Sequence, residues 1–257
     1  HHGLSKHADE WLNVSEQQSK HYKSGFLFEK VSLDKFEGEG VESKARNARY
    51  QALTAMTELD DIIATGHHQD DQAETFLLAL KRGSGISGLS AMQQVRNLSG
   101  RKLVRPLLSV TRNDIEKYAK HFKLVWIEDE SNQNNTFDRN FLRNDILPLL
   151  ENRWPAIKKT ITRSAQHCND AEALIFEITQ EDFNEVSVKG DELSLPVLLR
   201  LSKLRFNNVI RYFLAQHDCL MPTQVQLTEL ASQLGSAEDK APALKFGNKW
   251  LRRYRES

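Results

Sequence analysis

Cysteine is scarce: only Cys168 and Cys219 occur in 257 residues, far apart and outside any CxxC or Cys/His metal spacing. That argues against a disulfide framework or a structural zinc and fits a reducing, cytoplasmic setting. A surplus of one charge is missing too, since 35 Lys+Arg balance 35 Asp+Glu. No global positive field therefore announces a nucleic-acid partner, and any RNA contact must come from local patches. No apolar run approaches the roughly 20 residues needed to span a bilayer, and the N-terminus lacks the charged-then-apolar pattern of a secretory signal. The expectation is a soluble protein without membrane contact. Internal repeats and low-complexity tracts are also absent from the sequence.

What is present in the first half is an alternation of short apolar runs with amphipathic segments, which predicts an α/β fold with a Rossmann-like parallel sheet and flanking helices. Gly25-Phe26-Leu27-Phe28 with Val31, Asp61 to Thr65, and Leu124-Val125-Trp126-Ile127 are the strand candidates. Ala73, Phe76, Leu77 and Leu80 recur at helical spacing, so one face of a helix from Gln69 to about Gly83 is expected to pack against the sheet. Ile115, Tyr118, Ala119 and Phe122 mark another helix, opened by Thr111. After about Arg153 the strand signals become rare while helical periodicity persists. The expected organisation is an α/β domain over 1–153 and a mostly helical domain over 154–257, with helices over 164–182 and 198–216, another from Gln224, and a strand or hairpin over 243–255.

The segment that carries most chemistry is Thr65-Gly66-His67-His68-Gln69-Asp70-Asp71-Gln72-Ala73-Glu74-Thr75, where a strand gives way to a helix. Ligands of open α/β sheets bind at that place. His67, Asp71 and Glu74 fall on one side of the helix, turned from the apolar stripe. Two carboxylates in a first turn repel phosphate unless a divalent cation intervenes, which makes Asp70 and Asp71 candidate Mg²⁺ ligands. The plain alternative is that the acidic residues only complement the helix dipole. Zinc is the rival metal, but hard carboxylates beside a nucleotide suit magnesium better.

Three other segments add candidates. Arg82-Gly83-Ser84-Gly85, with Gly88, could bring backbone N–H groups to an anion, or simply cap the preceding helix. Glu42 to Tyr50 reads as a helix with Val41, Ala45, Ala48 and Ala52 inward and Arg46 beside Tyr50; its arginines are either a solvated face or an RNA contact. The polar stretch Glu128 to Asn132 leads to Arg139-Asn140-Phe141-Leu142-Arg143, a loop of the kind that commonly carries function.

Taken together, His1-His2-Gly3-Leu4-Ser5 with Ala8-Asp9 and Trp11, Ala45-Arg46 with Ala48-Arg49-Tyr50, the 66–75 segment, Arg82 to Gly85 with Gly88-Leu89 and Met92, Arg105-Pro106-Leu107-Leu108, Trp126 to Asn132, and Arg139-Asn140 with Arg143 resemble the tRNA(Ile)-lysidine synthases, N-type ATP pyrophosphatases of the PP-loop type. The resemblance covers most of residues 1 to 155, with weaker likeness at Ser164-Ala165, Cys168, Met221-Pro222 and Arg252-Arg253-Tyr254. It implies an ATP-dependent ligase: ATP adenylates C2 of the wobble cytidine in a CAU-anticodon tRNA(Ile), and free L-lysine then displaces AMP to give lysidine. By position, it implies His67, Asp71, Glu74 and Arg139 as catalytic residues. His68, Asp70, Asp71, Arg82, Gly83, Ser84 and Gly85 would face ATP, Asp70 and Asp71 would hold Mg²⁺, and Arg46, Arg49, Tyr50 and Arg143 would meet tRNA or lysine.

One departure from that pattern stands out: the SGGxDS-type phosphate loop and the last C-terminal domain of the longer members have no counterpart in these 257 residues. A missing first strand would expose a sheet edge, which predicts weak stability or self-association, a homodimer being one form. Two other functions stay open, a non-catalytic tRNA-binding remnant and a tRNA cytidine thiolase of the same superfamily.

Overall fold

The computed structural model describes residues 7–31, 41–189, 191–235 and 243–253, and the side chains of 41–43 fall outside it. The resemblance at His1 to Ser5 and at Tyr254, the inward placement of Val41 and the end of the 243–255 segment therefore lie outside the described residues. The chain forms two compact units, 1–169 and 170–257.

In the first unit, helices α1 (Ala8–His21) and α2 (Val41–Ala55) precede strand β1 (Ile62–Ala64), then α3 (Gln69–Lys81) and the short α4 (Ile86–Leu89). A hairpin follows, β2 (Val95–Leu98) and β3 (Arg101–Val104), and then α5 (Arg112–His121). Ser99 and Gly100, both at positive φ, make its two-residue turn, and a Cβ on Gly100 would come within 2.9 Å of Leu59 Cδ2. The sheet order is β1-β3-β2, with β1 parallel to β3 (Ala64 opposite Val104) and β2 antiparallel to it. Ile63, Leu98 and Leu103 form its buried centre, covered by Tyr50 and Leu53 of α2.

This departs from the expected parallel sheet in two respects. The apolar runs at 25–28 and 124–127 are not strands; Leu27 and Val125 are largely exposed, and neither run finds a partner strand among the described residues. Without a neighbour to take its ladder hydrogen bonds, an apolar run has no reason to stay extended in a sheet. The stripe of α3 also faces elsewhere: Ala73, Phe76 and Leu77 pack on Leu147, Ile157 and Ile161, while Leu80 stays exposed. That stripe is a helix–helix contact, which periodicity alone cannot tell from a helix–sheet contact.

The remaining helices begin with a 3₁₀ turn (Glu130–Gln133) and a continuous run made of α6 (Asp138–Phe141), a π turn (Leu142–Ile146) and α7 (Leu147–Arg153). Helix α8 (Ile157–Val186) spans the division between the units, whose boundary lies beyond the loss of βα alternation at Arg153 because Ile157 and Ile161 pack with α3. The second unit continues with α9 (Leu195–Leu198), α10 (Lys203–Gln216), α11 (Gln224–Leu234) and the antiparallel hairpin β4 (Ala243–Phe246) and β5 (Lys249–Arg252). Phe206, Val209, Ile210, Phe213 and Leu214 line one buried face of α10 at helical spacing and meet Leu227, Leu230 and Leu234 of α11. Among the described residues no helix is long and apolar enough to cross a membrane.

Candidate functional site

The site begins where β1 ends. Thr65 N–H donates to Val104 O at 3.0 Å, which continues the parallel ladder by one residue, and the chain then turns through Gly66 and His67 into α3. His68 takes the extended N-cap conformation, and its backbone N–H donates to Asp71 Oδ2 at 3.0 Å. The side chain at the third helical position thus satisfies a backbone donor that the helix itself cannot pair. His67 Nδ1 lies 2.9 Å from Thr65 Oγ1.

The first turns of α3 bury polar residues: Asp70, Asp71, Gln72 and Glu74 are all nearly or fully inaccessible. Glu74, at 0% exposure, is held by Arg143, whose Nε and Nη2 donate to its two oxygens at 2.7 and 2.9 Å. Arg143 Nη2 also donates to Asp71 Oδ1 at 3.1 Å, so one guanidinium ties together carboxylates one helical turn apart. Arg139 lies 3.9 Å from Glu74 Oε2 through Nε and reaches Thr75 Oγ1 at 3.5 Å. Arg143 sits in the π turn, a geometry often found at functional sites. The 129–135 loop is fastened beside it by Asn140 Nδ2, which donates to Ser131 O at 2.7 Å and Asn134 O at 2.9 Å, and by Asn144 Nδ2 to Asn132 O at 2.9 Å.

Burial pushes the Glu74 carboxyl above its ordinary value against the pull of Arg143. Arg143 is held above its own ordinary value, because the hydrogen bond and charge of Glu74 outweigh its burial. Burial also depresses His67 and His68; Arg105, Arg46 and Arg139 add to the effect at His67, while Asp71 opposes it at both. His68 lies 3.4 Å from Asp71 Oδ2 and 3.8 Å from Asp70 Oδ1, whereas the cations act chiefly on His67.

Asp70 and Asp71 do not fit a divalent cation as they are arranged. Asp70 Oδ1 accepts from Arg112 N–H at 2.8 Å and Oδ2 pairs with Lys158 Nζ; although burial works against it, these partners hold its pKa below the ordinary carboxylate value. Asp71 is divided between His68 N–H and Arg143. Among the described residues no group of three or more His, Cys, Asp or Glu side chains could hold a metal ion.

His67, His68, Asp70, Asp71, Glu74, Arg139 and Arg143 are thus brought together, and Arg46, 5.7 Å over the Tyr50 ring, acts on His67 through its charge. Arg49 is exposed on α2. Arg82 to Gly85 are not brought to the site. Gly83 (φ 66°) closes α3 with Gly83 N–H to Leu80 O at 2.9 Å and Ser84 N–H to Ala79 O at 3.0 Å, about 20 Å along the helix from His68. The structure adds three residues: Lys158, which pairs Asp70; Gln72, whose amide both donates to Met92 O and accepts from Met92 N–H at 2.9 Å; and Arg105, buried and acting on His67 through its charge. Gln72 stood inside the motif and could have been flagged as a polar residue on a buried face.

Comparison with known proteins places the chain among its relatives. The PP-loop domain family matches residues 1–150, and the TilS substrate binding domain family matches 193–257. A tRNA(Ile)-lysidine synthase of Haemophilus ducreyi is 46% identical over 259 residues, covering 100% of this chain and 60% of that protein. Proteins of the same name from Histophilus somni (strain 129Pt) and Haemophilus influenzae (strain 86-028NP) are 46% and 42% identical, each over 100% of this chain and 60% of their own length. The chain therefore spans about 60% of the length of these curated relatives. Among solved structures, the U34-tRNA thiolase NcsA from Methanococcus maripaludis, with its 4Fe-4S cluster, matches 65% of this chain and 59% of its own at a TM-score of 0.52 and 16% identity, a likeness of fold.

Proposed function

This chain belongs to the PP-loop domain family, and from that premise we propose that it supplies the lysine-ligating centre of a tRNA(Ile)-lysidine synthase. The reaction uses ATP to adenylate the C2 oxygen of the wobble cytidine in a CAU-anticodon tRNA(Ile), releasing pyrophosphate. The ε-amine of free L-lysine then attacks C2, AMP leaves with that oxygen, and the amine loses a proton. The observation that carries the reading is the buried Glu74–Arg143–Asp71 cluster at the carboxyl end of β1, in a chain 46% identical along its length to a protein of that name.

The chemistry follows from the environment of each group. Glu74 is a carboxylate whose burial favours its protonated form, so it suits accepting the proton that the attacking amine gives up. Arg143 keeps it ionised and aimed until the ammonium of lysine arrives to share its oxygens and those of Asp71. His67, neutral and flanked by cations, offers a hydrogen bond to the base without bringing a further positive charge. Arg139, 3.9 Å from Glu74 Oε2, stabilises negative charge that develops as AMP departs. Asp70 acts as a positioning residue that ties the start of α3 to Arg112 and Lys158.

Nucleoside mass spectrometry tests this. The gene product carrying this chain, given ATP, lysine and a CAU-anticodon tRNA(Ile), should yield lysidine, and Glu74→Gln should abolish it while sparing tRNA binding. RNA binding without ATP consumption would replace this reading with that of a non-catalytic tRNA-binding protein.

A further inference from the structure

The first turns of α3 bury three carboxylates, Asp70, Asp71 and Glu74, but they do not share one partner. Arg143 takes Asp71 and Glu74, the pair proposed to receive the ε-ammonium of lysine. Asp70 is filled by the protein itself: Oδ1 accepts from Arg112 N–H at 2.8 Å, and Oδ2 meets Nζ of Lys158 on α8. Lys158 Nζ also pairs with Glu151 Oε2 at 2.8 Å. Although burial works against its charge, these two carboxylates hold the Lys158 ammonium above its ordinary pKa. The group seated on Asp70 is therefore an alkylammonium with three N–H donors on a four-carbon stem, the same chemistry as the reactive end of free lysine.

Asp70 is close enough to Asp71 to compete for that end. The His68 ring stands between them, with Nδ1 3.8 Å from Asp70 Oδ1 and Nε2 3.4 Å from Asp71 Oδ2. An ammonium is a compact charge without the fixed fork of a guanidinium, so geometry alone does not direct it to one carboxylate of such a group. Nor does the seam between α3 and α8 call for the Lys158 pair. Ile157 and Ile161, on either side of Lys158 in the sequence, already pack with Ala73, Phe76 and Leu77, and a buried ion pair roughly breaks even against apolar contact. What the pair changes is how many carboxylates of the motif are left for a ligand.

We propose that Lys158 is a specificity-determining residue, an internal alkylammonium that occupies Asp70 and so reserves Asp71 and Glu74 for the ε-ammonium of substrate lysine. This deepens the proposed function and rests on it for the productive site.

The test uses the gene product carrying this chain, with free L-lysine as the probe. By calorimetry, Lys158→Met should bind lysine roughly 10-fold more tightly than the wild type, because Asp70 is opened to it. Adding Asp70→Asn, which keeps an acceptor for Arg112 N–H, should reverse the gain. Lysine held at Asp70 crowds out the productive one, so in ligation kcat and the KM for lysine should fall together in Lys158→Met, with kcat/KM nearly unchanged. Lys158→Arg refills Asp70 and should restore wild-type values. A side chain that served only the fold would not tighten lysine when removed. Unchanged or weaker lysine binding in Lys158→Met, or a gain that survives Asp70→Asn, overturns the proposal. If Lys158→Met does not fold, Lys158→Gln, which removes only the charge, should change in the same direction and decides. No lysidine from the wild type alongside the Asp70-dependent tightening would sink the ligase reading and leave the masking of Asp70 standing; lysidine without the tightening would do the reverse.

Discussion

Among the described residues, the second unit closes around a single cluster of thirteen buried apolar residues between Val186 and Phe246, whereas the first unit divides its apolar interior into two clusters of three and buries Asp70, Asp71, Gln72, Glu74, Arg105 and Asn140 as well. The second unit's buried carboxylate, Asp182, has an ordinary counter-charge in Arg205. Apolar burial stabilises without further conditions, at about 25 cal/mol per Å². Buried ion pairs, by contrast, roughly break even against apolar residues of the same volume and collapse when one partner is lost. The first unit therefore accepts a weaker interior for the sake of fixed charges, which is the pattern expected where local rules are broken for function.

Removing one partner at the centre of that network should break the comparison most sharply. Arg143→Ala leaves a fully buried Glu74 without its two strongest donors, and should cost about 3–5 kcal/mol in urea unfolding. Glu74 already has a raised pKa in the folded protein, so the unfolded chain ionises first as pH rises above 4.5. The folded state then binds more protons than the unfolded one, and stability falls until the folded pKa is passed. Loss of Arg143 widens that window and deepens the deficit at high pH. Replacing both partners at once, Glu74→Leu with Arg143→Met, should recover most of the stability while abolishing lysidine formation. A double variant as unstable as Arg143→Ala would show that the pair holds the fold together.

In the second unit the matching change is Leu227→Ala, which should cost about 2–5 kcal/mol with no new dependence on pH, because the side chain is fully buried among Leu230, Phe213 and their neighbours. A pH-dependent loss there would erase the contrast between the units.

A smaller effect separates them by proton uptake. His67 and His68 titrate below the ordinary imidazole value of 6.5, so below that value the unfolded chain binds protons that the folded chain refuses. Stability should fall as pH drops through about 6.5, and His67→Asn with His68→Asn should flatten the urea midpoint between pH 7.5 and 5.5. An unchanged slope would place the proton uptake elsewhere.

The same division marks what could be read in the sequence. Local signals held: Thr111 caps α5, the 66–75 segment turns from strand to helix, α2 covers 42–50, and α8 and α11 appear where periodicity put them, while the helix expected over 198–216 begins only at Lys203. What failed or went unseen depends on contacts distant along the chain. The runs at 25–28 and 124–127 have strand composition but no neighbour, and the stripe of α3 cannot declare whether a helix or a sheet will meet it. Arg143 reaches Glu74 across 69 positions, Asp70 is taken by a lysine on α8, and Arg105 looks like any strand-end arginine until the register of β1 and β3 brings the ends of the two strands together. Asp70 and Asp71 read locally as a pair of carboxylates, since Lys158 and Arg143, which meet them, lie far along the chain.

The helix caps give the smallest effect and the sharpest control, because they are built alike in both units. Thr111 Oγ1 accepts from Asp114 N–H at 3.1 Å at the start of α5, and Thr223 Oγ1 accepts from Gln226 N–H at 3.3 Å at the start of α11, where Gln226 Oε1 returns a bond to Thr223 N–H at 2.9 Å. Thr111→Ala and Thr223→Ala should each cost about 1 kcal/mol, with Thr223 slightly the larger because its cap is reciprocal. Both caps are exposed, so neither loss should vary with the interior behind it. Equal costs would confine the difference between the units to what they bury; a cost at Thr111 several times that at Thr223 would show instead that the charged interior makes the whole first unit sensitive to small insults.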